Sequence, residues 1–582
     1  MNAFHVWAPK AKRVELEIGG ERLPMSAAEN GWWSPGTASV QPGTDYAFVL
    51  DGGKPLPDPR SPWQPHGVHS PSRTVDHSAF PWTDRRWQAG PFSAAVFYEL
   101  HIGTFTPNGT FKAAIEKLDH LVRLGITHVE LMPVAEYSGS RGWGYDGVYP
   151  YAPHHAYGEP DDLKRLVDAC HARSLAVILD VVYNHMGPAG NYLDRFGPYF
   201  TDRYATPWGT AVNFDGPFSD EVRRFFCDNA LMWLRDYHFD GLRIDAVHAI
   251  IDTSAIHFLE QLACEVANLE AQVGRHLSLI AESDLNDPRV VQPQSLGGYG
   301  IRAQWSDDFH HALHCVLTGE RGGYYADFGS LANLAKALQQ AFVNDGRYSP
   351  FRKRRYGRPA AGLSGHRFLG YLQNHDQIGN RAKGERSSHL MGPGRLKIGA
   401  ALVLTAPFIP LLFQGEEWAA SSPFLYFTDH QDPELARSVT EGRRREFAAF
   451  GWRPEDVPDP QALEIFERSK LNWSEQDKEP HSGLADWHRR LIQLRREIPA
   501  LSDGRLERVL VAYDETAKWF VVRRGPVFIA CNLNDVTQRV PVALSRDAKL
   551  LLASAGDVQL TRDAVVLPTD SVAILTSAQL RE

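Results

Sequence analysis

The chain predicts an α/β fold: a (β/α)8 TIM barrel with inserted loops, preceded by one β-sandwich and followed by another. Three observations carry this. Short apolar strands alternate with amphipathic helices from Val96 to Arg496, a pattern that implies parallel pairing through right-handed crossovers. Period-two β runs fill residues 1–91 and return after residue 497. The length, 582 residues, exceeds one ordinary core at about 100–200 residues per domain.

The first region, 1–91, contains Val14-Glu15-Leu16-Glu17-Ile18 and Tyr46-Ala47-Phe48-Val49-Leu50, the second ending in the turn Asp51-Gly52-Gly53. Alternation bounded by Gly and Pro suits a small sandwich. The proline-rich stretch from Pro55 to Pro71 reads as an extended connector. The barrel region, 92–497, opens on the buried strand Val96–Leu100. A helix follows, with Phe111, Ile115, Leu118 and Val122 on one face and Gly125 at its end. Further strands are expected at Thr127–Met132, Ala176–Asp180, Phe239–Ala246, Leu277–Glu282, Phe368–Asn374 and Pro410–Gln414. The helix opening at Pro160 carries Asp161 and Asp162 in its first turn, where the helix dipole favours acids. Residues 186–217 have little periodicity and many aromatics, as an inserted lobe would. The last region, 498–582, has β runs such as Trp519–Val522 and Val527–Ala530.

Composition excludes several classes. A formal charge of −9 suits phosphate backbones poorly, so no nucleic acid is expected. The run Arg352-Lys353-Arg354-Arg355 reads as a solvated loop beside Gly357 and Pro359. The five scattered cysteines contain no Cys-x-x-Cys pair, so neither a disulfide framework nor a thiolate zinc site is indicated. No apolar run approaches the ~18 residues a membrane span needs, and residues 1–18 lack a signal-peptide core. A soluble cytoplasmic protein, without cofactor and working as a monomer, is the expectation.

The chemistry-bearing residues sit where the strands end. Asp180, Asn184 and His185 close one strand (DVVYNH), and Arg243 and Asp245 the next (GLRIDAVH). Glu282 closes the one after (LIAESD), and His375 and Asp376 a later one (LQNHDQIGNR). In a barrel of this kind all strand C-terminal ends share one face, where active sites are assembled. Adjacent strands lie ~4.8 Å apart. Asp245 and Glu282 can therefore stand near the about 5–5.5 Å that a retaining glycoside hydrolase needs between nucleophile and acid/base. Arg243 is two residues before Asp245, hence on the same side of its strand, and can hold Asp245 ionised.

With these four motifs in order, the chain resembles the α-amylase family of glycoside hydrolases. The resemblance implies Asp245 as nucleophile, Glu282 as general acid/base and Asp376 as the grip on sugar hydroxyls. It implies His185 and His375 as hydrogen-bond partners of the same ring, with Tyr145 of GWGYDGVYPYAP stacking beneath it. Asn184 falls where many amylases bind calcium. The other ligands find no match here, so no metal is expected. Longer stretches narrow the resemblance: YGIRAQWSDDFHHALH (Tyr299 to His314), LQNHDQIGNRA, FQGEEWAASSPFLYFTDH (Phe413 to His430) and GRRREFAAFGW. They are similar to those members that cut maltooligosyltrehalose at the α-1,4 bond beside its terminal trehalose, a substrate made by a partner maltooligosyltrehalose synthase. Related α-1,4-glucans are then secondary substrates. Selectivity must lie on the leaving-group side, where Trp305, Asp308, His310, Trp418 and Phe424 are the candidates; Trp305 and Phe424 suit a loop core equally well. Glu416 and Glu417 follow a different strand and are read as loop anchors, and Trp7 as core packing in a sandwich of the glucan-binding-module kind. Two alternatives remain: a glycogen branching enzyme with the same carboxylates, and a catalytically inactive glucan-binding protein. Gln377-Ile378-Gly379-Asn380 after Asp376 fits the first poorly, and the intact carboxylate set argues against the second.

Overall fold

The computed structural model describes residues 4–36, 40–448 and 452–577. Residues 449–451 of the run GRRREFAAFGW lie outside the described residues, as do 1–3, 37–39 and 578–582. Eight parallel strands close into a barrel: β1 Phe97–Leu100, β2 His128–Leu131, β3 Ala176–Val181, β4 Gly241–Ile244, β5 Ser278–Ala281, β6 Ala303–Trp305, β7 Phe368–Gly370 and β8 Ile409–Phe413. Neighbours pair in chain order, and β8 returns to β1 with Leu412 opposite Tyr98.

Seven of these strands fall where the apolar runs place them. β6 does not: it lies inside the stretch YGIRAQWSDDFHHALH, expected to form leaving-group contacts. Three residues are too few to show a period, so Trp305 is a barrel residue and not a loop residue. β7 also stops early. The chain turns at Asn374, whose side chain caps the helical turn His375–Gly379 by accepting from Gln377 N at 3.0 Å.

Alternation along the strands sorts the barrel interior into layers. Phe97, Ile178, Ile280, Ala303 and Leu369 pack together as an apolar floor. The residue two positions further along each strand points the same way, giving Glu99, Asp180, Glu282, Trp305 and Tyr371 above it. A dry floor beneath a polar upper layer is what lifts the carboxylates to one face.

Before the barrel, two antiparallel sheets form. One orders Val6–Trp7, Trp32–Ser34 and Ser26–Ala27; the other is built on Val14–Ile18 and Asp45–Leu50. After it come a five-stranded sheet around Val527–Asn532 and a three-stranded one around Ala564–Leu567. The lobe after β3 contains a hairpin, Phe200–Thr206 with Gly209–Val212, whose turn exposes Trp208. Trp7 is 3% exposed and packs edge-on against Tyr199, 5.3 Å between ring centres, tying the first sheets to this lobe. At Gly197 a Cβ would stand 2.7 Å from the Trp7 ring, so only glycine fits. Among the described residues, no helix is long and apolar enough to cross a membrane.

A buried arginine joins the barrel to the segment that leads into the C-terminal sheets. Arg495, on the helix His481–Glu497, donates to the carbonyls of Leu404 at 3.1 Å, Ala406 at 2.9 Å, Leu501 at 3.0 Å and Phe408 at 2.7 Å. Hydrogen bonds to a charged group contribute about 1.5–3 kcal/mol each, and a buried carbonyl left unpaired costs about 1–3 kcal/mol. Arg495→Met is therefore expected to lower the thermal midpoint measurably in calorimetry while leaving cleft chemistry intact; an unchanged midpoint contradicts the role of this residue as a tie.

Candidate active site

The barrel's upper layer opens into a cleft of about 610 Å³ lined by Tyr145, His185, Asp245, Glu282, His375 and Asp376, among others. Its organising group is Arg243, at 0% exposure. Nη1 donates to Asp180 Oδ2 at 2.8 Å and to Asp245 Oδ1 at 2.9 Å, and Nη2 donates to Glu282 Oε2 at 2.9 Å. The face of Trp305 covers the guanidinium at 4.2 Å. One planar cation thus fixes three carboxylates at once, which a point charge could not do.

The two central carboxylates sit in different surroundings. Asp245 also accepts from Asn184 Nδ2 at 2.7 Å. Burial would raise its carboxyl, but Arg243, His185 and the Asn184 bond outweigh burial and hold it below the ordinary aspartate range. Glu282 accepts from Arg243 and from the Ala246 backbone N–H at 2.9 Å, both on Oε2. Burial raises Glu282 well above its ordinary value, and Asp245, Asp376 and Asp307 add to this against the pull of Arg243. One carboxylate is thereby kept ionised and its neighbour protonated, the division that nucleophile and general acid require.

A second chain of bonds fixes the opposite wall. His375 pairs through Nδ1 with Glu99, and its backbone N–H donates to Glu99 Oε2 at 3.1 Å. Nε2 lies 2.8 Å from the Tyr145 hydroxyl, which itself donates to Asp180 Oδ2 at 2.7 Å. Burial alone would lower His375, yet Asp376 and Glu99 push it up to about 9, so the ring is a cation. Burial raises Asp180 to about 7 against the pull of Arg243. Tyr145 stacks on His375, 5.2 Å between centres. His185 engages Asn184 Oδ1 and, at 3.0 Å, the Tyr145 carbonyl, while its face stacks on Trp208 at 5.2 Å. Both histidines thus have both ring nitrogens bonded within the protein. Asn184 is spent on Asp245 and His185.

Six of the candidates meet at the cleft: Tyr145, His185, Asp245, Glu282, His375 and Asp376. Arg243 lies directly beneath. The five leaving-group candidates do not line it. Trp305 is 2% exposed and covers Arg243 from below. Asp308 is 5% exposed and receives the Val343 and Asn344 backbone N–H groups at 2.6 and 2.9 Å, so it anchors a loop. His310 bonds the Leu372 carbonyl at 2.7 Å and the Tyr325 hydroxyl at 3.1 Å. Trp418 packs on Trp473 in the core, 5.0 Å between centres, and Phe424 stacks on Trp143 at 5.2 Å. Glu416 and Glu417 are buried; Glu417 takes His120 Nε2 at 2.7 Å and the Tyr98 hydroxyl at 3.2 Å.

Asp284, Asp307, His311, Tyr324, Phe351 and Arg352 also line the cleft. Asp307 and His311 are i and i+4 on the helix Asp307–Thr318, one face; Asp308 turns toward the loop at 343–344. That periodicity was available in the sequence. Arg352, read as part of a solvated basic run, bonds Asp284 and lies 4.0 Å over the Tyr356 ring. For a metal, the group of three donors among the described residues is Glu136, His154 and His155, outside the cleft.

A closed parallel barrel with this divided carboxylate pair on its C-terminal face defines a glycoside hydrolase. The family model described as the alpha amylase catalytic domain matches residues 75–204, and one described as a domain of unknown function matches 504–574. A malto-oligosyltrehalose trehalohydrolase of Mycobacterium tuberculosis is 49% identical, with 100% of both chains covered. The chain belongs to the malto-oligosyltrehalose trehalohydrolase family. A solved structure of a putative alpha amylase from Salmonella typhimurium superposes with a TM-score of 0.90 at 40% identity, covering 98% of this chain and 97% of that one. A 1,4-alpha-glucan branching enzyme of Vibrio cholerae is 34% identical, but over 53% of this chain and 48% of its own.

The divided pair predicts a bell-shaped pH dependence of kcat/KM. Activity rises as the pair loses its first proton, below the ~3.9 of an ordinary aspartate, and falls as it loses the second, well above the ~4.3 of an ordinary glutamate. A pH–rate profile whose alkaline limb lies at the ordinary glutamate value contradicts the assignment.

Proposed function

We propose that the chain hydrolyses the α-1,4 bond beside the terminal trehalose unit of maltooligosyltrehalose, with retention, releasing trehalose and a shortened maltooligosaccharide. The observation that carries the mechanism is the unequal holding of Asp245 and Glu282 on the two nitrogens of one guanidinium. Asp245 attacks the anomeric carbon as Glu282 gives its proton to the departing glycosidic oxygen, leaving a glycosyl ester on Asp245. Glu282, now a carboxylate, takes a proton from water as that water attacks the same carbon, and Asp245 leaves ionised. Asp376 lies beside the His375 cation, 3.4 Å from Nε2, and suits the grip on ring hydroxyls through oxygens that remain part-exposed.

Substrate choice falls to the wall on the far side of Glu282. The proton donor stands at the glycosidic oxygen, so the leaving sugar lies beyond it, toward Asp284, Asp307, Tyr324, Phe351 and Arg352. An α,α-1,1-linked disaccharide presents two rings there with no reducing end. Aromatic faces at Tyr324 and Phe351 beside the Arg352 cation and the Asp307 carboxyl fit such a ligand better than a featureless trough. The substrate is then supplied by a synthase that closes the chain end with the 1,1 bond. Chain transfer, as in a branching enzyme, finds similarity over about half of either chain, whereas the trehalohydrolase likeness is full-length.

The test offers maltooligosyltrehalose beside plain maltooligosaccharides of equal length and follows free trehalose. A kcat/KM at least about tenfold higher for the trehalose-ended substrate is expected, the size that a pocket fitted to one leaving group supplies. Faster cleavage of the plain chains with no trehalose appearing sinks the reading.

A further inference from the structure

A separate cluster lies at the root of the loop that brings Trp143 and Tyr145 to the cleft. After β2 the chain makes a short antiparallel pair, Ala135–Glu136 with Tyr149–Pro153. Where this pair closes, Glu136, His154 and His155 come together. The side chains of Glu136 and His154 are fully buried, and His155 keeps 30% of its side chain exposed. His154 Nδ1 is 3.1 Å from Glu136 Oε2 and His155 Nδ1 is 2.8 Å from Oε1. One donor atom from each residue lies within 4.8 Å of the others.

We infer that Glu136, His154 and His155 form a site for a divalent transition metal such as zinc, bound by one carboxylate oxygen and the two Nδ1 atoms. Tetrahedral zinc with bonds of ~2.0–2.1 Å sets its ligand atoms about 3.3 Å apart, so small shifts convert the present contacts into ligation. Two imidazoles and a carboxylate suit zinc, cobalt or nickel; calcium and magnesium demand six or more oxygens. The exposed edge of His155 gives solvent access and room for a water as fourth ligand. Binding displaces the protons that the two Nδ1 atoms carry when they pair with Glu136, and each neutral ring then holds its one proton on Nε2.

The location gives the site a consequence. Tyr137 stacks on His154 at 3.8 Å, and its hydroxyl donates to the Gly142 carbonyl at 3.2 Å, immediately before Trp143. A metal at the root steadies the segment that presents Trp143 and Tyr145, without itself entering the cleft.

The experiment uses the untagged full chain, stripped with a chelator, then titrated with zinc chloride in a calorimeter and with cobalt(II) by visible absorption. One equivalent of zinc is expected, with an intense tetrahedral cobalt spectrum and a raised thermal midpoint. Glu136→Gln and His155→Ala are each expected to weaken binding at least tenfold and to abolish the midpoint shift. His155, part-exposed, can be truncated with little packing loss, so it decides the matter if Glu136→Gln fails to fold. No saturable uptake by the wild-type chain, or equal stoichiometry and affinity in His155→Ala, overturns the inference and leaves the cluster an ion pair.

Discussion

The active face rests on one buried cation. Removing an arginine from water is costly unless its hydrogen bonds are met and its charge is balanced. Arg243 balances its charge and occupies both terminal nitrogens with Asp180, Asp245 and Glu282, resting on the face of Trp305. Those carboxylates repel one another and could not share a barrel mouth without it. Their surroundings then divide them. Asp245 receives a second donor from Asn184, whereas Glu282 receives a backbone N–H and faces three acids. One ionised and one protonated carboxyl follow from geometry already in place before any sugar arrives.

The same cation extends its control sideways. Asp180 joins Arg243 to the Tyr145 hydroxyl, Tyr145 reaches His375, and His375 reaches Glu99 across the barrel. This chain keeps the His375 ring charged and turned flat against Tyr145, and it places Asp376 one residue further on. Strands β1, β3 and β4 and the loops after β2 and β7 are therefore fixed relative to one another by polar contacts over a dry floor. Such a site loses little to reorganisation when charge develops on the sugar.

Much of this was legible in the chain itself. Acidic and basic residues ending apolar strands located the upper layer, because strand period and barrel closure leave them only one face to share. The rest depends on contacts that no local pattern carries. β6 is three residues long, so Trp305 looked like loop; only strand pairing shows it beneath Arg243. The helical period turns Asp307 and His311 to the cleft and Asp308 and His310 away from it. Trp418 and Phe424 sit in a distinctive motif, yet their rings complete the core. Trp208, Phe351 and Arg352 lie on irregular segments whose reach into the cleft depends on tertiary contact, which no local pattern encodes. The basic run at 352–355 shows the same point: its first residue turns inward to Asp284 and its third and fourth are exposed.

The planar guanidinium of Arg243, and not merely its positive charge, holds Asp245 and Glu282 in their two protonation states. The pH profile of kcat/KM in Arg243→Lys tests it most directly. Lysine keeps the charge but cannot hold both carboxylates on adjacent nitrogens. A loss of at least about tenfold at the optimum is expected, with an acid limb moved upward, as Asp245 loses its hydrogen bond from Arg243. A variant with near-normal activity and both limbs unmoved would contradict it.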